Sequence, residues 1–170
     1  VLILNLFVSL IMSQEQLGSD IDGEAADDNS GYSVSLDSDG DRVAIGAFQN
    51  DGSFNNAGHV RIYSWDGSSW SQLGSDINGG GTDDRSGYSV SLDSDGDRVA
   101  IGATEADGAS SSFWNAGHVR IFSWDGSSWS QLGSDIDGEA ADDDFGASVS
   151  LDSDGDRVAI GAVNSEGIGC

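Results

Sequence analysis

Residues 33–47 read SVSLDSDGDRVAIGA, and the same fifteen letters return unchanged at residues 89–103 and 148–162. The copies start 56 and 59 residues apart, so the chain is built from an internal repeat of that period. Within each copy, apolar residues alternate with small or polar ones on both sides of an Asp-Gly dipeptide. This pattern predicts a β-hairpin with one apolar face.

A two-residue loop at Asp39-Gly40 is the simplest turn for this hairpin, and it predicts a type I′ turn with positive φ at both residues. Leu36 then lies opposite Val43, and the apolar pairs share one face. The other face is predicted to hold opposite-charge pairs, namely Asp37 with Arg42, Asp93 with Arg98, and Asp152 with Arg157.

Each full unit contains four strand-like runs and no run with helical periodicity. In the first unit the runs are 31–36, 42–47, 58–65 and 68–77. A polar insert separates the second run from the third, and it differs between copies, at 48–56 and 104–115. We expect the insert to be a surface loop.

Four strands in a unit of 56–59 residues are typical of a β-propeller blade. The chain is therefore predicted to be all-β, a partial β-propeller of about 2.7 four-stranded antiparallel blades. The blade repeats are predicted at residues 15–72, 73–131 and 132–170, the last one truncated. Because a propeller needs about four to eight blades, the interpretation is a fragment of a larger ring.

The N-terminal stretch VLILNLFVSLIM, residues 1–12, is apolar except for Asn5 and Ser9. It is shorter than a membrane span of about 20 residues, and it is typical of the apolar part of a secretory signal peptide. Residues 1–14 are therefore predicted to be the remnant of a signal peptide, and the mature chain is expected to have no membrane span. A first buried strand is the alternative.

Charge and cysteine content exclude several function classes. Thirty acidic residues against six basic ones give a formal net charge of −24, which would repel nucleic acid and anionic membranes. The single cysteine, Cys170, allows no disulfide framework and no CxxC motif. With only two histidines besides, a structural zinc site is not expected.

Aromatic residues flank the second hairpin turn, at Asp66-Gly67. A two-residue loop would place Tyr63 opposite Trp70, whereas a four-residue loop would pair Trp65 with Trp70, and the spacing does not decide between them. The aromatics favour packing between blades, with a carbohydrate-stacking platform as the alternative. His59 and His118 hold the same place in two copies, where a hydrogen bond to a neighbouring backbone is expected.

The hairpin unit resembles FG-GAP repeats, the blades of integrin-α-type propellers. Phe-Gly stands at Phe145-Gly146, and Gly-Ala returns in every copy, while the family's proline is replaced by Phe48, Thr104 and Val163. The resemblance covers residues 17–170. Together with GHVRIYSWDGSSWSQLGSDIDGEAADD, it is similar to repeats in secreted proteins of marine microbes, including Bacteroidetes.

The resemblance implies a possible Ca²⁺ site, since such repeats often bind Ca²⁺ in a DxDxDGxxD loop. The equivalent stretch here is the shorter DSDGD, with Asp37, Asp39 and Asp41, so an ordinary Asp-Gly turn is the favoured alternative. A second acidic cluster, DIDGEAADD, begins at the aspartate of LGSDI, and its DxDGE spacing also suits Ca²⁺, or else a solvated acidic loop. Its candidate ligands are Asp20, Asp22, Glu24, Asp135, Asp137 and Glu139.

These observations favour an exported module for extracellular binding or adhesion without catalysis, secreted or at the cell surface. The expected partner is an extracellular protein or a polysaccharide, engaged by loops such as 48–56 and 104–115. The alternatives are a propeller lyase or hydrolase that acts on polysaccharide and a purely structural spacer. Near-identical copies disfavour the enzyme, because a catalytic site needs unlike side chains from different blades.

Overall fold

A computed structural model describes residues 16–108 and 114–165, and this part of the chain contains strands and no helix. The predicted signal peptide remnant and Cys170 lie outside the described residues. The prediction of an all-β chain with antiparallel pairing is confirmed, and none of the sheets closes into a barrel.

The strands form three successive antiparallel sheets. The first contains β1 (Ser33–Leu36), β2 (Arg42–Ala47), β3 (His59–Trp65), β4 (Trp70–Gln72) and β5 (Ile77–Asn78). The second contains β6 (Ser86–Leu92), β7 (Arg98–Ala103), β8 (His118–Trp124), β9 (Trp129–Gln131) and β10 (Ile136–Asp137). The third contains β11 (Phe145–Leu151) and β12 (Val158–Ala162).

The predicted fourth strand is present in both full sheets, but it is broken into two pieces. In the first sheet β4 and β5 both pair with β3, and in the second sheet β9 and β10 both pair with β8. The LGSD segment lies between the pieces, where Gly74 has a φ of 82° and cannot continue an extended strand. Each full sheet is thus four strands wide with an interrupted outer edge.

The register of the first hairpin is confirmed, but its turn type was wrong. Leu36 pairs with Val43 as expected. Positive φ occurs at Gly40 (73°) and not at Asp39, so the turn is not type I′. Instead, a four-residue loop forms, in which Asp37 Oδ1 accepts hydrogen bonds from the backbone N–H groups of Gly40, Asp41 and Arg42 at 2.8, 3.1 and 3.2 Å.

The predicted charge pairs are only partly present. Arg157 Nη1 lies 3.4 Å from Asp152 Oδ2. Arg98 instead crosses to the next repeat and donates to the carbonyl oxygen of Asp154 at 3.1 Å. Arg98 therefore connects neighbouring hairpin tips, whereas Arg157 pairs across its own hairpin.

The second hairpin has the four-residue loop. Trp65 pairs with Trp70, and Trp124 pairs with Trp129 in the next copy. The side chain of Asp66 closes the turn by accepting from the hydroxyl of Ser68 and from backbone N–H groups, which lowers the pKa of Asp66 to about 2.

Successive sheets pack face to face, and one face of each sheet is apolar towards its neighbour. The buried cluster takes Ala44, Val60, Ile62 and Ile77 from the first sheet and Leu92, Val99, Ile101 and Phe122 from the second. One face of the first sheet thus packs on the facing side of the second sheet. Burial of these apolar side chains is the main source of stability.

The same hydrogen bonds recur at both junctions between sheets. Ser33 Oγ donates to the carbonyl of Gly87 at 2.7 Å, and Ser89 Oγ donates to that of Gly146 at 2.6 Å. Other recurring bonds run from Leu92 N to Ser35 Oγ, Leu151 N to Ser91 Oγ, Ser38 N to Ser94 O, and Ser94 N to Ser153 O. The junction is therefore a specific, repeated interface.

Two equivalent glycines at the hairpin tips give a matched stability test. Both have positive φ, 73° at Gly40 and 63° at Gly96. A Cβ at Gly40 would meet no atom within 4 Å, whereas at Gly96 it would lie 2.7 Å from Arg42 Cδ and 3.1 Å from Asp37 Cβ. We expect Gly40→Ala to cost about 1 kcal/mol through backbone strain alone. Gly96→Ala should cost clearly more in urea denaturation, and equal costs would contradict the packing of Arg42 over this tip.

Candidate functional site

The polar inserts and the loops between repeats form one continuous edge, which we call the loop rim. It comprises residues 22–31, 48–58, 79–85, 104–108, 114–117 and 138–144. The first insert is held on both sides. Asn50 Nδ2 donates to Asp28 Oδ2 at 2.8 Å, and Asn56 Nδ2 donates to Asp83 Oδ1 at 2.9 Å. Because each insert is fixed by the loops beside it, the rim is a built surface rather than separate loops.

A buried aspartate organises each loop between repeats. Asp84 Oδ2 accepts from the backbone N–H groups of Gly80 and Gly81 at 2.9 and 2.6 Å, and Asp143 Oδ2 accepts from Ala140 N at 3.0 Å. Asp28 does the same for Ala25 at 3.2 Å. These three aspartates therefore shape the backbone of the loops between repeats, a role that the sequence analysis did not distinguish from that of the neighbouring acidic residues.

Large aromatic side chains stand exposed on both inserts. Phe54 is 48% exposed and Trp114 is 66% exposed. The tryptophans of the second hairpin are placed differently. Trp129 Nε1 donates to the carbonyl of Leu73 in the preceding repeat at 2.8 Å, and a Cβ on Gly74 would lie 2.7 Å from the Trp124 ring. Trp124 and Trp129 thus pack between repeats, whereas Phe54 and Trp114 leave exposed aromatic surface on the rim.

The two histidines lie beneath the rim, at the first residues of β3 and β8. His59 Nδ1 is 3.8 Å from Glu24 Oε2 and 4.0 Å from Asp76 Oδ2. The Nδ1 atom of His118 is 3.8 Å from Asp135 Oδ2. The predicted hydrogen bond from each histidine to a neighbouring backbone is not among those formed by the described residues, because the rings face carboxylates instead.

Of the six candidate ligands of the acidic cluster, three lie beside a histidine and three do not. Glu24 joins His59 and Asp76, and Asp135 and Asp137 join His118, with the potential ligand atoms of each group within 4.8 Å of one another. Asp20 and Asp22 lie outside these groups: Asp20 accepts from Gln16 Nε2 at 2.7 Å, and the carbonyl of Asp22 accepts from Arg61 at 2.9 Å. Glu139 is exposed and also lies outside them.

The DSDGD residues lie at the hairpin tips, at the end of strand β1. Asp37 turns inward to the backbone of its own loop. A hydrogen bond between the side chains of Asp37 and Asp41 raises the pKa of Asp41. Asp39 is exposed and contacts Ser38 Oγ at 3.4 Å. The three equivalent tips line a shared groove of about 290 Å³ that includes Asp37, Asp93 and Asp152.

Burial lowers the pKa of both histidines, so both rings are neutral near pH 7. For His59 the burial effect is reinforced by Arg61 and opposed by Asp76 and Glu24. For His118 burial is again the first cause, reinforced by Arg120 and opposed by Asp135. The buried Nε2 of His118 has no hydrogen-bond partner among the described residues, so a proton on both nitrogens would be costly there.

Lowering the pH should therefore destabilise the protein already below about pH 6.5, well above the range near pH 4 in which carboxyl groups usually titrate. Above the unfolded histidine pKa of about 6.5, both states carry neutral rings and stability is complete. Below it, the histidines of the unfolded chain bind protons, whereas those of the folded chain stay neutral because their pKa is lower. The free energy of unfolding therefore falls by up to about 1.4 kcal/mol per pH unit for each histidine. Urea denaturation between pH 7.5 and 5.5 checks the slope. The double variant His59→Asn with His118→Asn should lose this pH dependence of the free energy of unfolding. An unchanged slope would contradict its attribution to the two buried histidines.

No protein-family model matches the chain, and no curated protein matches it. In the described part of the chain, there is no helix of the length and apolar character needed to cross a membrane.

Proposed function

We propose that the sheets are blades of a β-propeller of the FG-GAP type, and that the module is exported and binds an extracellular protein or polysaccharide without catalysis. The observation that carries the binding role is the loop rim. Its inserts are the segments that vary most between otherwise near-identical repeats, and they bear the exposed Phe54 and Trp114. Aromatic rings at an accessible edge are typical of carbohydrate and protein recognition.

The exposed faces of the end sheets support the propeller. Val34 and Leu36 are 63% and 59% exposed, although their equivalents Val90 and Leu92 pack against the preceding sheet. On the opposite side, Ala159 is exposed, although its equivalent Ala100 is fully buried. Each end therefore offers the face that another repeat of this kind would cover.

Electrostatics narrow the class of ligand. With a formal net charge of −24, the surface repels polyanions, so neutral or cationic polysaccharides and basic protein surfaces are the favoured partners. The near-identity of the repeats disfavours the alternative of a polysaccharide lyase or hydrolase, since the histidines and acidic groups recur at equivalent places. A structural spacer would need no exposed aromatics on its most variable loops.

Binding to a panel of immobilised polysaccharides and to extracellular matrix proteins tests the proposal. We expect a ligand to be retained by the parent protein and lost, by at least tenfold in affinity, in the double variant Phe54→Ala with Trp114→Ala. The matched control is Leu132→Ala, which removes an apolar side chain that is 44% exposed outside the rim. Control and parent should bind alike.

Three outcomes would contradict the proposal. Release of new reducing ends or unsaturated products from a polysaccharide would show catalysis. Equal losses in the rim variant and in the control would place the binding surface elsewhere. No binding to any member of the panel would favour the structural spacer.

A further inference from the structure

Each full sheet places one buried histidine against two carboxylates, and the groups are built to a common plan. The constant part is a histidine at the start of the third strand with the aspartate of LGSD, that is, His59 with Asp76 and His118 with Asp135. The spacing is 17 residues in both copies. The third member differs, being Glu24 in the first group and Asp137 in the second.

The third member differs because the middle loop, DINGG at residues 76–80, lacks two acidic residues that the other copies have. Asn78 stands where those copies have Asp22 and Asp137, and Gly80 stands where they have Glu24 and Glu139. The first group therefore takes its third carboxylate from the preceding loop, and the second takes it from the strand after LGSD. Each group still has one imidazole and two carboxylates.

Hydrogen bonding does not account for the position of the rings. The His59 side chain is 2% exposed and the His118 side chain is 8% exposed, so both are more than nine-tenths buried. Their Nδ1 atoms point at carboxylate oxygens from 3.8 to 4.0 Å away, beyond hydrogen-bond distance. Ligands of a tetrahedral ion at about 2.1 Å lie about 3.4 Å apart. These three histidine–carboxylate distances would therefore have to close by about half an ångström, and the other pairs, which lie within 4.8 Å, by up to about 1.4 Å.

We propose that each of these groups binds one divalent transition-metal ion of the zinc type, through the histidine Nδ1 and two carboxylates. An imidazole ligand with carboxylates suits zinc, cobalt or nickel, whereas Ca²⁺ takes oxygen ligands alone. The carboxylates are partly exposed, at 46% for Glu24 and 42% for Asp135, so water or a ligand group can complete the coordination.

The cationic neighbours limit the affinity. Arg61 Nη1 lies 3.8 Å from Glu24 Oε1, whereas His59 Nδ1 lies nearest to Oε2 of the same carboxylate. Arg120 donates to the carbonyl of Asn78 at 2.9 Å and to Ser86 Oγ at 3.2 Å. Because these guanidinium groups stay beside the ion, we expect dissociation constants in the micromolar range and not those of a closed structural site.

Metal titration of the chelator-treated full chain tests the proposal, in a Cys170→Ser background with 0.15 M NaCl and 1 mM Ca²⁺ present. We expect two Zn²⁺ ions per chain by calorimetry and a visible Co²⁺ spectrum with nitrogen ligation. His59→Gln and His118→Gln should each remove one ion, and the double variant should bind none at this affinity. Asp95→Asn, which removes one exposed charge at a hairpin tip, should still bind two.

A variant with an added ligand keeps the test independent of folding defects. A Cβ at Gly80 would have only Asp84 Oδ2 near it, at 3.5 Å, so Gly80→Glu fits and restores the carboxylate that the first repeat has. We expect this change to tighten the second site about tenfold and to leave the first unchanged. Two ions bound by the double histidine variant, no ion bound by the parent, or no gain from Gly80→Glu would each overturn the proposal.

Discussion

Replacing Gly102 with alanine is expected to destabilise the protein by at least about 3 kcal/mol. A Cβ at this position would overlap the carbonyl oxygen of Gly146 in the next sheet and the hydroxyl of Ser89. The carbonyl belongs to the backbone and cannot rotate away, so relief requires the two sheets to separate. Overpacking of this kind costs about 1–3 kcal/mol, and more where the backbone must move.

Gly161 provides the matched control for this substitution. It holds the same place in the third sheet, where a Cβ would crowd only atoms of Ser148, whose hydroxyl can rotate. We expect Gly161→Ala to cost less than about 1 kcal/mol. Urea denaturation of both variants measures the difference, and similar values for the two would mean that no sheet lies against Gly102.

Leu92→Ala is expected to cost about 2–4 kcal/mol, because the side chain is 6% exposed within the cluster that joins the first two sheets. The equivalent change Leu36→Ala removes the same atoms from the same sequence context. Since Leu36 is 59% exposed, its truncation should cost less than about 0.5 kcal/mol. Thermal and urea melts of the pair compare the two costs, and equal costs would refute the face-to-face packing.

Strand content and hairpin register could be predicted because alternation has a period of two and fixes which residues share a face. The turn type could not. A two-residue loop at Asp39-Gly40 and a four-residue loop at residues 38–41 give the same register, and only the backbone angles distinguish them. The break in the fourth strand was also missed, because it depends on a left-handed Gly74 within a run that otherwise reads as one strand.

The histidine groups were missed because their members come from separate segments, three in the first group and two in the second. Distances between His59, Asp76 and Glu24 depend on how the sheet and the preceding loop pack. The sequence nevertheless contained one regularity that points to these groups. The 17-residue spacing from histidine to the LGSD aspartate recurs in both full repeats.

Amide hydrogen exchange at three equivalent serines tests most directly whether the repeats stack face to face. Ser38 N bonds to Ser94 O, and Ser94 N bonds to Ser153 O, both at 3.1 Å and both across a junction between sheets. The amide of Ser153 has no such acceptor among the described residues. Stacking predicts strong protection at Ser38 and Ser94 with fast exchange at Ser153, whereas equally fast exchange at all three hairpin tips would contradict it.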